Sequence, residues 1–139
     1  MFVISTSSEF NSAHFLKDYE GRCANIHGHK WEVIIEIESE EIQQEGQCRG
    51  MIVDFNQLKG DLFEETNRLD HTLIIEKGSL KEATMAAMKD EGFVITELDF
   101  RPTAENLAKY FFDIMSIKGY NVRKVGVYET PKNQAIYEK

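Results

Sequence analysis
Residues Trp31 to Glu38 alternate with a period of two. Trp31, Val33, Ile35 and Ile37 fall on one face, and Glu32, Glu36 and Glu38 share the other with Ile34. A strand of that pattern buries one side and wets the other, which predicts an antiparallel sheet with its core on one face. Phe2 to Phe10 reads as a first strand, diluted by serines. Ser39 to Gly50 is polar with two glycines and reads as a hairpin connection, after which Met51-Ile52-Val53 returns as a partner strand.

Further along, Asp54 is placed to cap a helix over Asn56 to Arg68, with Leu58, Leu62 and Phe63 facing inward. Ser79 and Glu82 have capping-box spacing ahead of a short helix through Ala83, Ala86, Ala87 and Met88, which Gly92 ends. A longer helix follows Pro102-Thr103. It repeats Leu107, Tyr110, Phe111, Ile114 and Met115 at helical spacing and stops at Gly119. Val122 to Tyr128 alternates again, and Ala135-Ile136-Tyr137 forms a short last strand. Strands joined as hairpins, with helices grouped between them, predict an α+β fold with the helices on one sheet face. The other face of so small a sheet is left for further subunits.

The 139 residues fit one domain, residues 1–139, and 42% hydrophobic residues suffice for a core without disulfides. A net charge of −8 disfavours nucleic acid as a partner, because non-specific binding needs a basic field. No apolar run reaches membrane-spanning length, and the N-terminal residues lack a basic region followed by a long apolar one. The expected location is the cytoplasm, where Cys23 and Cys48 are free thiols.

The chain has four histidines. His27 and His29 stand two apart just before the alternating strand, so both imidazoles project from one face with Gly28 between them. His14, at the end of the first strand, is placed to complete a tripod. Three neutral imidazoles suit zinc, and three protein ligands leave a fourth position open. A turn with solvated imidazoles is the competing reading of His27-Gly28-His29. Cys23 lies four residues before His27. Its thiol is a fourth ligand, which would close a structural site, a base beside an open one, or a buried free thiol with neither role. Asp70 and His71 form a pair in which a carboxylate can orient an imidazole for proton transfer, provided a turn brings them together; the competing reading is that Asp70 caps a turn and His71 is solvated. Glu129 ends a strand. It is either a surface carboxylate or a buried acceptor for a heterocycle with adjacent N–H donors.

Taken in order, Phe10 to His14, Cys23 to His29, Ile52 to Phe55, Leu69 to His71, Pro102 to Leu107 and Glu129-Thr130 resemble the 6-pyruvoyl- and 6-carboxy-tetrahydropterin synthase family over nearly the whole chain. The resemblance implies a tunnelling fold, an antiparallel four-stranded sheet with helices on one face, assembled into homohexamers. It implies Zn2+ on His14, His27 and His29, Cys23 as catalytic base, and Asp70 and His71 as a proton relay. Glu129 would anchor the pterin, with Thr103 and Glu105 approaching it. The Cys-x-x-x-His-Gly-His spacing resembles the bacterial carboxy branch. That branch converts 7,8-dihydroneopterin triphosphate to 6-carboxy-5,6,7,8-tetrahydropterin, releasing acetaldehyde and triphosphate, on the way to queuosine. The alternatives within the family are a pyruvoyl-tetrahydropterin synthase and a dihydroneopterin side-chain lyase. A different class is a non-catalytic zinc protein with Cys23 as fourth ligand. Residues 76–101 run longer than in compact members and are expected to form a lid or an edge contact. Arg22, Lys30 and Arg101 are candidate triphosphate cations by position.

Overall fold
The computed structural model describes residues 1–139. Its elements follow as β1 (Phe2–His14), β2 (His27–Ser39), α1 (Phe55–Asn67), β3 (Thr72–Glu76), α2 (Glu82–Asp90), β4 (Ile95–Leu98), α3 (Ala104–Ile117), β5 (Val122–Thr130) and β6 (Asn133–Glu138). The alternating segment becomes β2 and lies inside the sheet, antiparallel to β1 on one side and to β5 on the other. Trp31, Val33, Ile35 and Ile37 are all buried, as their period requires.

The sheet differs from the four-stranded antiparallel one expected. It has six strands in the order β4-β3-β1-β2-β5-β6, and the β1–β3 and β3–β4 pairs are parallel. The two added strands come from the stretch after His71. Leu73-Ile74-Ile75 is buried throughout, and a strand covered on both faces carries a continuous apolar run with no alternation to announce it. Parallel neighbours need a crossover, and α2 provides it between β3 and β4. The long 76–101 stretch is therefore an edge of the sheet.

The helices also do not share one face. Ile74 joins the main core with Leu58 and Leu62 of α1 and Leu107, Phe111 and Met115 of α3. Leu73 and Ile75 point the other way, into a second cluster with Phe15, where Met85 and Met88 of α2 cover them. Helices α1 and α3 thus pack on one face and α2 on its reverse.

Local chemistry sets the helix boundaries. Asp54 accepts the Asn56 N–H at 2.7 Å, and Thr103 Oγ accepts the Asn106 N–H at 3.2 Å, so both caps form. The Ser79–Glu82 capping box does not: α2 starts after Lys81 with no side-chain cap, and the Ser79 hydroxyl is buried without a partner. Met51-Ile52-Val53 forms no strand but a bend into α1, with Ile52 and Val53 packed against the main core. Phe63 faces solvent rather than the core. At about 100° per residue it stands about 140° from Leu58, whereas Leu62, Glu65 and Thr66 lie within about 80° of it and are buried. The buried Glu65 is matched by Lys118 at 3.2 Å and Arg68 at 3.4 Å.

Candidate metal centre
Strand register brings the three expected histidines together. His14 pairs with His27 across β1–β2, and His29 follows on the same face of β2. Trp31 forms the floor, fully buried, stacked on Phe10 at 5.9 Å and meeting His14 and His29 edge-on at 5.0 and 5.4 Å. Glu129, at the end of β5, joins them: one donor atom from each of His14, His27, His29 and Glu129 lies within 4.8 Å of the others.

Hydrogen bonds behind the rings fix which nitrogens face inward. His14 Nδ1 lies 2.8 Å from the Pro102 carbonyl, and His27 Nδ1 lies 2.7 Å from the Asn25 carbonyl. A carbonyl only accepts, so in both rings Nδ1 carries the hydrogen and Nε2 keeps its lone pair. Those two Nε2 atoms face each other at 3.0 Å. Two lone pairs at that distance repel unless a cation shares them. Tetrahedral metal–nitrogen bonds of about 2.0–2.1 Å would set neighbouring nitrogens about 3.3 Å apart, close to what is found. His29 Nε2 is buried with no hydrogen-bond partner, although Glu129 Oε1 lies 3.0 Å away. The oxygen therefore sits off the axis of the ring N–H. An orphaned buried nitrogen, two opposed lone pairs and a carboxylate are a donor set that fits a divalent cation such as zinc.

Electrostatics keep the His14 and His29 rings available as ligands. Burial pushes His14 down to about 4, assisted by His27 and His29 and opposed by the Pro102 carbonyl. Burial likewise lowers His29, against the pull of Glu129. Neutral imidazoles are the form that binds metal.

The other expected residues lie around this cluster rather than in it. Cys23 sits in a single 3₁₀ turn, half-buried, and its sulfur is not among the four donors. Its carbonyl accepts the Leu16 N–H at 2.8 Å, which closes the loop between β1 and β2. Asp70 and His71 do cooperate: Asp70 Oδ2 accepts from His71 Nδ1 at 2.8 Å, and Oδ1 accepts the Asn11 N–H, also at 2.8 Å. The turn needed for this is present, since His71 adopts a left-handed backbone with φ of 55°. The Asn11 N–H, and then His71, hold Asp70 below the usual carboxylate range. Thr103 and Glu105 flank Pro102 at the start of α3, with the Thr103 hydroxyl engaged in the cap. Arg101 is committed elsewhere, donating to the Lys17 carbonyl at 2.7 Å and lying over the Tyr19 ring. Lys30 pairs with Glu9 at 3.1 Å, and Arg22 is exposed.

Two clefts meet at His29. One, of about 550 Å³, is bordered by Glu129, Lys30, Glu32 and Tyr128, and the other, of about 640 Å³, by His71, Ser12, Phe93 and Val94. Both are of a size that takes a small-molecule ligand. The Pro102 and Asn25 carbonyls escaped the sequence reading because any residue type supplies a carbonyl. Ser12, buried opposite His29 with an unpartnered hydroxyl, had only its strand parity to mark it.

Three histidines with an adjoining carboxylate that could hold a metal ion, set in a curled α+β sheet where two clefts meet, define a candidate metal centre of the kind enzymes use. The family model for 6-pyruvoyl tetrahydropterin synthase matches residues 3–139, and the chain belongs to that family of pterin enzymes. It is 28% identical to the 6-carboxy-5,6,7,8-tetrahydropterin synthase of Haemophilus influenzae, with all of both chains covered. Among solved structures, an uncharacterized protein from Wolinella succinogenes superposes with a TM-score of 0.81 at 21% identity, covering 99% of this chain and 98% of that one. The 6-pyruvoyl tetrahydropterin synthase of Plasmodium falciparum gives 0.68 at 19% identity, covering 99% and 97%. Both share the fold. No helix is long and apolar enough to cross a membrane.

Proposed function
We propose that this chain is a zinc-dependent lyase that converts 7,8-dihydroneopterin triphosphate and one water to 6-carboxy-5,6,7,8-tetrahydropterin, releasing acetaldehyde and triphosphate. The observation that carries the reading is the convergence of three imidazoles and a carboxylate with donor atoms within 4.8 Å of one another. Two of the rings, His14 and His27, have Nδ1 tied to carbonyls, so that Nε2 is left as the ligand atom. The name of the full-length Haemophilus influenzae relative supports the carboxy product.

In this reading His14, His27 and His29 hold the metal. When bound, the ion supplies Lewis-acid stabilisation of negative charge developing on the substrate side chain. Cys23 removes a side-chain proton. His71, oriented by Asp70, carries protons from the cleft it borders, where its ring is largely exposed. Glu129 accepts hydrogen bonds from the pterin amine and ring N–H. The Asn11 N–H on Asp70 Oδ1 fixes the carboxylate, so that its second oxygen has one orientation toward His71. The enzyme would act in the cytoplasm as a homohexamer and feed queuosine precursor synthesis.

Incubation of zinc-loaded protein with 7,8-dihydroneopterin triphosphate tests the assignment. Acetaldehyde together with carboxy-tetrahydropterin is the expected result. A pyruvoyl product without acetaldehyde would move the chain to the pyruvoyl branch, and turnover of unphosphorylated dihydroneopterin alone would make it a side-chain lyase.

A further inference from the structure
Cys23 is given the work of a base, yet the core does not hold it. Its 3₁₀ turn, Arg22–Ala24, buries none of its residues and has no side-chain cap. Between Leu16 and His27 every residue except Cys23 is exposed. A segment that buries so little opens readily unless another part of the chain ties it down. The tie comes from the start of α3. Arg101 donates through Nη2 to the Lys17 carbonyl at 2.7 Å, and its guanidinium lies over the Tyr19 ring, 5.8 Å from the centroid. The same ring lies so close to Gly21 that a Cβ there would come within 2.8 Å of Tyr19 Cε1. Gly21 leads into the 3₁₀ turn with φ of 148°, a conformation that strains any residue with a side chain. Contacts therefore run without a gap from Arg101 through Tyr19 and Gly21 to the turn of Cys23.

Arg101 is a firm point to brace against. It is half-buried beside the buried Pro102, and its carbonyl accepts the Thr103 N–H at 2.8 Å and the Asn106 side-chain N–H at 3.0 Å. Pro102 in turn orients His14. One short segment thus holds a ring of the metal cluster through a carbonyl and the loop of Cys23 through a side chain. Resting on the reading above, we propose that Arg101 is a positioning residue for the reaction: with Tyr19 as its contact, it braces the β1–β2 loop and keeps Cys23 in one place relative to the histidines. Lysine would not serve, because an ammonium lacks the flat fork that bonds a carbonyl and lies on a ring at once.

The test uses the full zinc-loaded chain in a Cys48→Ser background, so that iodoacetamide reports on Cys23 alone. Arg101→Ala and Tyr19→Ala should each speed alkylation of Cys23 at least about threefold, as expected of a turn that opens more often. With 7,8-dihydroneopterin triphosphate, kcat should fall at least about tenfold and KM stay within about twofold, since a displacement of about 1 Å can cost about 100-fold in rate. The double variant should lose less than the product of the single losses, because both changes remove one shared contact. Tyr19→Phe keeps the ring and should match the parent, whereas Arg101→Lys should stay near Arg101→Ala. Bound zinc should be equal in all of them. Unchanged alkylation and kcat in Arg101→Ala would overturn the proposal. So would a rise in KM alone, which would make Arg101 a phosphate contact, or loss of zinc, which would place its effect on His14. A parent chain without lyase activity would overturn the proposed function, and the alkylation rates would still decide the brace.

Discussion
Acidifying the metal-free protein should destabilise it through His14. Burial holds this ring neutral down to about pH 4 in the native state, against about 6.5 in an unfolded chain. Between those values the unfolded state takes up a proton that the folded state refuses, so stability falls as pH falls. The slope approaches about 1.4 kcal/mol per pH unit, and the loss accumulates to about 3 kcal/mol. The contribution is intact above pH 6.5 and gone by about pH 4. His29, also lowered by burial, adds a loss of the same sign. Asp70 and Glu64, both held below their usual range, begin to cost stability only as pH falls through the ordinary carboxylate values near 4. The histidine window therefore lies apart from theirs. Urea midpoints of wild type and His14→Leu, measured in steps from pH 7.5 to 4.5, isolate the effect. The variant begins lower but should show a shallower decline. Parallel profiles would refute the claim that burial of the His14 ring excludes the proton.

Cys23→Ala should keep its zinc, measured by metal analysis, while turnover falls at least about 100-fold, the usual scale for a lost proton-transfer group; loss of the metal would instead make the sulfur a ligand. Asp70→Asn sets an amide N–H against either the Asn11 N–H or the His71 ring N–H, since both carboxylate oxygens now accept. A destabilisation of about 1–3 kcal/mol is expected from urea unfolding, with a displaced pH–rate profile. Phe111 is fully buried between Phe10 and Tyr110, and Phe111→Ala should cost about 3–5 kcal/mol by the same measurement.

What the sequence revealed depended on whether a residue's role was carried by its own type and parity. The imidazoles of His27 and His29 share a face because strands repeat every two residues, and His14 lies opposite because β1 ends there. Trp31 to Ile37 announced their strand by alternation. Leu73 to Ile75 did not, because both faces of β3 are covered. Met51 to Val53 imitates a strand by being apolar for three residues, but Met51 is exposed and only Ile52 and Val53 are half-buried, packed against the core at the entry to α1. Glu129 was visible as a carboxylate with an open role, whereas its approach to His29 depends on the β2–β5 register, which no local pattern encodes. The carbonyls that fix the imidazole tautomers left no trace at all.

The sheet order also sets a timetable for assembly. Strands β1 and β2 are joined through residues 15–26 and pair along thirteen residues, from Phe2–Ser39 to His14–His27. That hairpin is a local contact, and it leaves the ribosome first. It already bears all three imidazoles before β5 has been synthesised. Docking of β5 on β2 is a long-range closure that awaits the C-terminal part of the chain, and it alone brings in the carboxylate. The nascent hairpin therefore carries the three imidazoles before either the Pro102 carbonyl that orients His14 or the carboxylate has been made. The order of translation separates the moment at which the imidazoles come into register from the moment at which the carboxylate joins them.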